Sequence, residues 1–142
     1  MIVTTYQNVP KAEISGFEFE YERIFDGFNS AWASSKEFMV KFNYTFTDSE
    51  IIIETGDTYL NSGGVVTSAA SLLANGRDSR LQGQADNIVN IQLGYDDYAV
   101  NSQATLIINH VSDRVRARGL DVLPDIIEQI PTTIDFVYGR EF

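Results

Sequence analysis

The chain has 142 residues, 44% apolar and 21% charged, which excludes wholesale disorder and predicts a single domain over residues 1–142. Ten basic against 20 acidic side chains give a net charge of −10, so the surface repels nucleic acid and anionic lipid. The absence of cysteine and the single histidine, His110, exclude disulfides, cysteine nucleophiles and multi-histidine metal sites.

The first predicted strand covers residues 17–22, in which aromatic and acidic side chains alternate strictly. Alternation with a period of two places the aromatic rings on one face and the carboxylates of Glu18, Glu20 and Glu22 on the other. Carboxylates at this spacing are able to serve glycoside hydrolysis or to bind a cation such as calcium. The interpretation we favour is a solvated strand face whose charges discourage edge-to-edge pairing.

A hairpin over residues 38–54 is the clearest β signal in the sequence. Apolar side chains occupy the even positions of residues 38–46, and residues 47–50 have the composition of a turn. Residues 51–54 then begin the returning strand.

Residues 58–76 contain no charged side chain, and their small residues followed by Asn75-Gly76 predict a short helix over residues 65–74. An uncharged segment of this kind is usually core or close-packed helix, but the centres of protein interfaces are also depleted of charge. We therefore name four of its residues as interface candidates: Val65, Val66, Leu72 and Leu73.

A polar loop is predicted over residues 77–86, followed by a strand over residues 88–95 with alternating apolar side chains. The pair Asp96-Asp97 comes directly after this strand. Neighbouring strand residues point to opposite faces and do not grip one ion, whereas in a turn they are able to do so. A calcium or magnesium site is the minor hypothesis for this pair.

A long helix is predicted to begin at Ser102, a favourable N-cap, and to end at Gly119, where a C′ glycine belongs. The basic cluster Arg114, Arg116 and Arg118 complements the helix dipole in the last turns. We interpret these arginines first as ion-pair partners of the chain's own carboxylates, and second as a docking patch for the acidic strand face of another copy. The apolar residues of the helix have the spacing of one helical stripe: Ala104, Ile107, Ile108, Val111 and Val115.

A second, shorter helix is predicted over residues 121–129, and a closing strand over residues 134–138. The sequence contains no internal repeat. Together the elements predict an α+β fold, in which a mostly antiparallel sheet has two or three helices packed on one face.

The sequence contains few of the residue patterns that enzymes use for catalysis. His110 is interpreted as an ordinary surface or boundary residue. The serines lack a Gly-x-Ser-x-Gly context, and the glycine-rich segments lack phosphate-binding motifs. We therefore expect a non-enzymatic protein with no cofactor and no bound metal. Residues 1–6 have no basic region before a long apolar stretch, and no segment approaches about 18 apolar residues, so we expect neither a signal peptide nor a membrane helix.

Our first hypothesis is a non-enzymatic structural subunit that self-associates into a symmetric assembly, such as a phage virion head–tail or tail component. It is favoured by the charge-poor stretches 58–76 and 98–112, by the basic cluster in an acidic body, and by chain ends that we expect neighbouring strands or subunits to hold. Its partners would be copies of itself and neighbouring structural proteins, without direct nucleic acid or membrane binding. The expected location is the virion, with the cytoplasm as the alternative.

Two alternatives stay open. The first is a small binding module for a sugar or small apolar ligand, which exposed rings on one sheet face would support. The second is an acidic inhibitor that mimics nucleic acid, which requires carboxylates at phosphate-like spacing on one surface. The rings of the binding module would be Tyr6, Phe17, Phe19, Tyr21, Phe42 and Tyr44.

Overall fold

The computed structural model describes residues 11–26, 34–61, 63–73, 79–119 and 123–141, which are almost entirely β-structure. No helix of seven or more residues occurs in these ranges, so the α+β prediction is wrong and the fold is a β-sheet fold. One 3₁₀ turn covers Ala69–Leu72. The strands are β1 (Lys11–Asp26), β2 (Lys36–Ile52), β3 (Thr58–Leu60), β4 (Val66–Ser68), β5 (Asn87–Asp97), β6 (Ser102–Val111), β7 (Arg114–Ala117), β8 (Ile126–Glu128) and β9 (Thr133–Arg140).

The predicted helix over residues 102–118 is β6 followed by β7. Its apolar run is short and rich in β-branched residues, and such a run fits a helical stripe and a buried strand equally well. Pairing decides for the strand, because β6 is hydrogen-bonded to β5 on one side and to β9 on the other. Asn101, in the left-handed region at φ 46°, ends the turn that joins β5 to β6.

The two shorter predicted helices are also wrong. Within residues 65–74 the described part is β4 and the 3₁₀ turn, in which the Ser68 hydroxyl accepts a hydrogen bond from the amide of Ala70. Within residues 121–129 the described part is extended and contains β8. Both segments are too short for a helix that propensity alone would hold. Asn75 and Gly76 lie outside the described residues.

The turn predicted at residues 47–50 is wrong, because β2 continues through it without interruption. Instead of folding back, the segment finds partners in the loop over residues 79–86, where the polar-loop prediction is confirmed. The amide of Thr47 donates to the carbonyl of Asp86 at 2.9 Å. Ser49 is buried, and its hydroxyl accepts from the amide of Leu81 at 3.1 Å. Tertiary pairing therefore overrides the turn propensity of these residues.

The chain divides into two compact units. The larger share of a five-stranded sheet, in the order β1-β2-β5-β6-β9, lies in the unit made of residues 17–46, 87–112 and 130–142. We call this the central sheet. Its pairs β2–β5, β5–β6 and β6–β9 are antiparallel. Four predicted strands are confirmed in it: residues 17–22, 38–46, 88–95 and 134–138.

The other unit comprises residues 1–16, 47–86 and 113–129. Among its described residues, β3 pairs with β4 and β7 pairs with β8 in two small antiparallel sheets. The amide of Gly83 donates to the carbonyl of Val115 at 2.8 Å, which ties the 79–86 loop to β7. Among the described residues of this unit, four apolar side chains are buried, and two of them are alanines: Ile51, Ala69, Ala85 and Val115.

Candidate functional site

Strand register gathers the apolar side chains of the central sheet on one face. Phe42 of β2 lies opposite Ile91 of β5, and Ile91 lies opposite Ile108 of β6. Ile108 is in turn opposite Ile134 of β9. On the other side, the ring of Phe19 in β1 lies 6.1 Å from the ring of Phe42. One row of apolar side chains therefore crosses all five strands.

The rows beside it continue the same pattern. Phe38 and Tyr95 are opposite each other with ring centroids 5.1 Å apart, and Leu106 is opposite Phe136. We call this surface the apolar face. Its most exposed large side chains, from 41% at Tyr21 to 68% at Phe136, are Phe17, Phe19, Tyr21, Leu93, Ile134, Phe136 and Tyr138. A contiguous exposed apolar surface of this kind marks an interaction site in most soluble proteins.

The opposite face, which we call the polar face, has a row of side-chain hydrogen bonds. The amide of Asn43 donates to Glu18 Oε1 at 2.8 Å, and the amide of Asn90 donates to Asn43 Oδ1 at 3.3 Å. Further along the same row, Asn109 donates to Thr133 Oγ1 at 3.3 Å. This row therefore consists of polar side chains that are hydrogen-bonded to one another, unlike the apolar rows of the opposite face.

One edge of the central sheet is β1, and no strand among the described residues pairs with its outer side. The predicted alternation of this strand is confirmed, because its rings lie on the apolar face. Glu18, Glu20 and Glu22 are exposed on the polar face. Glu22 Oε1 lies 2.8 Å from Lys41 Nζ. The carboxylates line the edge, where charge discourages pairing with another strand.

The other edge is β9, and none of the described strands pairs with its outer side. This strand has a single acidic residue, Asp135. It exposes apolar side chains on both faces, with Phe136 at 68% on the apolar face and Val137 at 61% on the polar face. The two edges of the sheet therefore differ in charge and in hydrophobicity.

The predicted basic cluster is divided by intramolecular ion pairs. Arg114 Nε donates to Glu128 Oε2 at 2.7 Å and joins β7 to β8. Arg118 Nη1 donates to Asp125 Oδ2 at 2.8 Å, and the two side chains are only 17% and 7% exposed. Arg116 is exposed. Pairing with the chain's own carboxylates accounts for two of the three arginines, so these two give no support to a docking patch.

Asp97 is an anchor at the end of β5. Its Oδ1 accepts from the hydroxyl of Ser35 at 2.9 Å and from the amide of Ala99 at 3.1 Å. Its Oδ2 accepts from Lys36 Nζ at 2.7 Å and from the hydroxyl of Tyr95 at 3.2 Å. A carboxylate has about four acceptor positions, and these four donors use them. Asp97 is therefore committed to the fold rather than to a cation.

A cleft of about 350 Å³ lies beside the turn that joins β5 to β6. Asp96, Tyr98 and Arg140 are among its lining residues. The carboxylate of Glu37, followed by burial and by Asp96, raises the pKa of Tyr98. The lining of the cleft is polar and includes both acidic and basic side chains. Asp97, which also lines it, already accepts hydrogen bonds from four donors.

The predicted interface residues of the uncharged segment are placed at two levels of exposure. Val65 and Val66 are 60% and 65% exposed beside the small β3–β4 sheet. Leu72 and Leu73 are half-buried. The second uncharged stretch, residues 98–112, is mostly β6, and its lack of charge follows from its place between two strands of its own sheet.

His110 lies in β6 rather than in a helix. Its Nδ1 is 2.8 Å from the Thr132 hydroxyl, and the residue is exposed. Tyr6 and the chain ends, residues 1–10 and 142, lie outside the described residues, so the expectations placed on them concern parts that the structure does not describe.

Among the described residues, no group of three or more His, Asp or Glu side chains is placed to hold a metal ion. No helix in these ranges is long and apolar enough to cross a membrane. Comparison with protein-family models, with curated proteins and with solved structures found no match to this chain.

The exposed apolar surface of β9 was not identified from the sequence. Ile134, Phe136 and Tyr138 were recognised as a closing strand, but not as part of a surface. One feature of the sequence could have shown this surface: the apolar residues of β9 have the same period-two spacing as those of residues 17–21. If residues 102–118 are a strand, the long helix that was expected to cover these side chains is absent. Because a helix was predicted at residues 102–118, the apolar face was expected to be buried beneath it.

Proposed function

We propose that the chain is a non-enzymatic structural subunit that associates with copies of itself, and that the apolar face is its main contact surface. The observation that carries the proposal is the apolar face itself, which crosses all five strands and exposes large side chains on β1, β5 and β9, among them Phe17, Leu93 and Tyr138. Two sheets that pack face to face bury such surfaces in a layer about 10 Å thick.

The exposed side chains of the apolar face are large enough to drive association when they become buried. Full burial of one large apolar side chain is worth roughly 1.5–3 kcal/mol. Phe19, Ile134 and Phe136 are each more than half exposed, so each retains a substantial part of that gain for an association step. A second copy offers a surface of the same chemistry and the same dimensions.

A binding module for a sugar or small apolar ligand is favoured by one specific observation. Phe17 and Phe19 are 58% and 52% exposed on one face, as that function requires. A small-molecule site, however, needs a few polar groups that converge on the ligand. On the apolar face, polar side chains such as Asn87, Asp97, Ser102 and His110 come at the strand ends or one residue from them. The extent of the face therefore favours a protein surface as its partner.

The acidic-mimic hypothesis has weaker support, because Glu18 and Glu22 bind Asn43 and Lys41 of the same sheet. The virion setting is compatible with a self-associating subunit and stays a part of this proposal.

The test compares Phe19→Thr with Glu20→Thr by size-exclusion chromatography with light scattering. The two positions are neighbours on β1 but point to opposite faces, and threonine suits a strand at both. We expect the wild type and Glu20→Thr to form oligomers, and Phe19→Thr to shift toward monomer while its circular dichroism stays that of a β-protein. An oligomer that persists in Phe19→Thr contradicts the proposal, as does a sugar or apolar ligand that saturates the face of a monomer.

A further inference from the structure

The free edge of β9 has the features of a strand that pairs with another strand. It is exposed on both faces, no strand of the described residues pairs with its outer side, and it contains one charge between Thr133 and Gly139. An exposed apolar edge of this kind is a template for strand addition unless charge or a bulge protects it. The β1 edge has that protection in Glu18, Glu20 and Glu22, and β9 does not.

The side-chain pattern of β9 identifies the partner as a second copy. In an antiparallel pair, directly opposite residues point to the same face, and like charges opposite each other are destabilising. A two-fold register centred on Phe136 places Phe136 beside the partner's Phe136 and Ile134 beside the partner's Tyr138. The one acidic residue, Asp135, then lies opposite the partner's Val137. The strand is therefore complementary to itself, whereas two β1 edges would set glutamates against glutamates.

We propose that β9 pairs antiparallel with β9 of a second copy across a two-fold axis at Phe136, so that the two central sheets become one continuous sheet. The proposal deepens the self-association set out above and rests on it. The joined sheet has one apolar face, twice the extent of the face on a single chain, which remains available for sheet-on-sheet packing. Edge pairing supplies the dimer, and the apolar face supplies further association.

A charge exchange at Val137 tests the register without touching the apolar face. Val137→Glu places a carboxylate opposite the partner's Asp135, and Val137→Lys places an ammonium there. We expect the glutamate variant to raise the dimer dissociation constant about tenfold or more and the lysine variant to retain or tighten the dimer, the latter effect weakening with salt. Equal dimerisation of both variants overturns the edge pairing, and loss of the dimer in both overturns the register.

Cysteine cross-linking gives a second readout, because the wild-type chain has no cysteine. In the proposed register, Phe136→Cys brings two identical residues directly opposite each other, within the Cα separation of about 4.4–6.8 Å that a disulfide spans. Ile134→Cys is the control, because residue 134 lies four residues along the strand from the partner's Ile134. Oxidation is expected to give a covalent dimer with the first variant and monomer with the second.

The opposite pattern, or no covalent dimer from Phe136→Cys in a protein that still oligomerises, refutes the edge pairing and leaves the apolar-face association standing. The reverse result is an oligomer that Phe19→Thr leaves unchanged, together with efficient cross-linking at residue 136. That result would mean that the β9 edges pair with each other and that the apolar face does not contribute to association.

Discussion

The ammonium Nζ of Lys36, the first residue of β2, lies 2.7 Å from Oδ2 of Asp97, the last residue of β5. The two residues are also register partners, so the ion pair closes the antiparallel β2–β5 pair at its end. Lys36 and Asp97 are 19% and 8% exposed in their side chains, and this shielding makes the contact more than a surface ion pair.

This contact predicts an acid sensitivity. The hydrogen bond from Lys36, with those from Ser35 and Ala99, lowers the pKa of the Asp97 carboxyl from 3.8 to about 2, against the opposing effect of burial. Since the pKa is lower in the folded chain, the stabilisation is fully present above about pH 4 and is lost as the pH falls toward 2. The same pair raises the pKa of Lys36 above 10.5, so its contribution is lost only in strong alkali.

Asp97→Asn is expected to lower the urea midpoint at pH 7 and to flatten the decline of stability between pH 4 and pH 2. Asp96→Asn removes the same charge from the adjacent residue, which points to the opposite face of the sheet, and it is expected to leave both properties unchanged. Equal effects of the two substitutions would show that net charge, and not the Asp97 anchor, sets the acid response.

The arginines are predicted to act on stability in a graded order. Arg118→Met removes a mostly buried partner of Asp125, whose other oxygen accepts from the amide of Gly119 at 2.8 Å. We expect a loss of roughly 3 kcal/mol, because an unpaired buried carboxylate remains. Arg114→Met should cost less than about 1 kcal/mol, since that pair is one-third exposed.

Urea unfolding monitored by circular dichroism measures this order, and Arg116→Met serves as the control with no expected change. An Arg118→Met variant as stable as the control would contradict the anchoring role of the Arg118–Asp125 pair. Exchange of both Arg114 and Arg118 to glutamate is expected to destabilise the fold, because each new carboxylate would lie beside the carboxylate that the arginine had paired.

The turn between β5 and β6 depends on Asn101, which has φ 46°. Glycine adopts this region freely and asparagine tolerates it, whereas alanine pays about 1 kcal/mol. Thermal unfolding is therefore expected to show Asn101→Gly at least as stable as wild type and Asn101→Ala less stable. An alanine variant that matches the glycine variant would mean that the left-handed turn is not required for the hairpin.

The sequence predicted strands well where alternation was long and strict. In β1, β2 and β9, apolar and aromatic residues alternate with polar ones at a period of two, which fits a strand and not a helix. The same alternation shows which side chains share a face of the sheet. The run around Ile107 and Ile108 satisfied both helical and strand spacing, and the partners that decide it, β5 and β9, are distant in sequence. Gly119 was predicted to end a helix. In the structure a glycine is needed there for another reason, because a side chain would collide with the backbone of Leu123.

The candidate surface was predictable only in part. The rings of β1 were named from the sequence as the ligand-binding surface of the alternative binding module, because their alternation with glutamate is visible locally. The contribution of β9 depends on its position at the far edge of the sheet, which no local pattern reveals. The partners of Arg114 and Arg118 were not predictable for a related reason, since Glu128 and Asp125 were assigned to a helix instead of to the segment beside β7.

Sedimentation velocity of the wild-type chain over a concentration series tests self-association most directly. The account predicts a weight-average mass of at least a dimer at concentrations from about 1 to 100 µM, the range in which a moderate interface is populated. A single species with the mass of one chain across that whole range would contradict it.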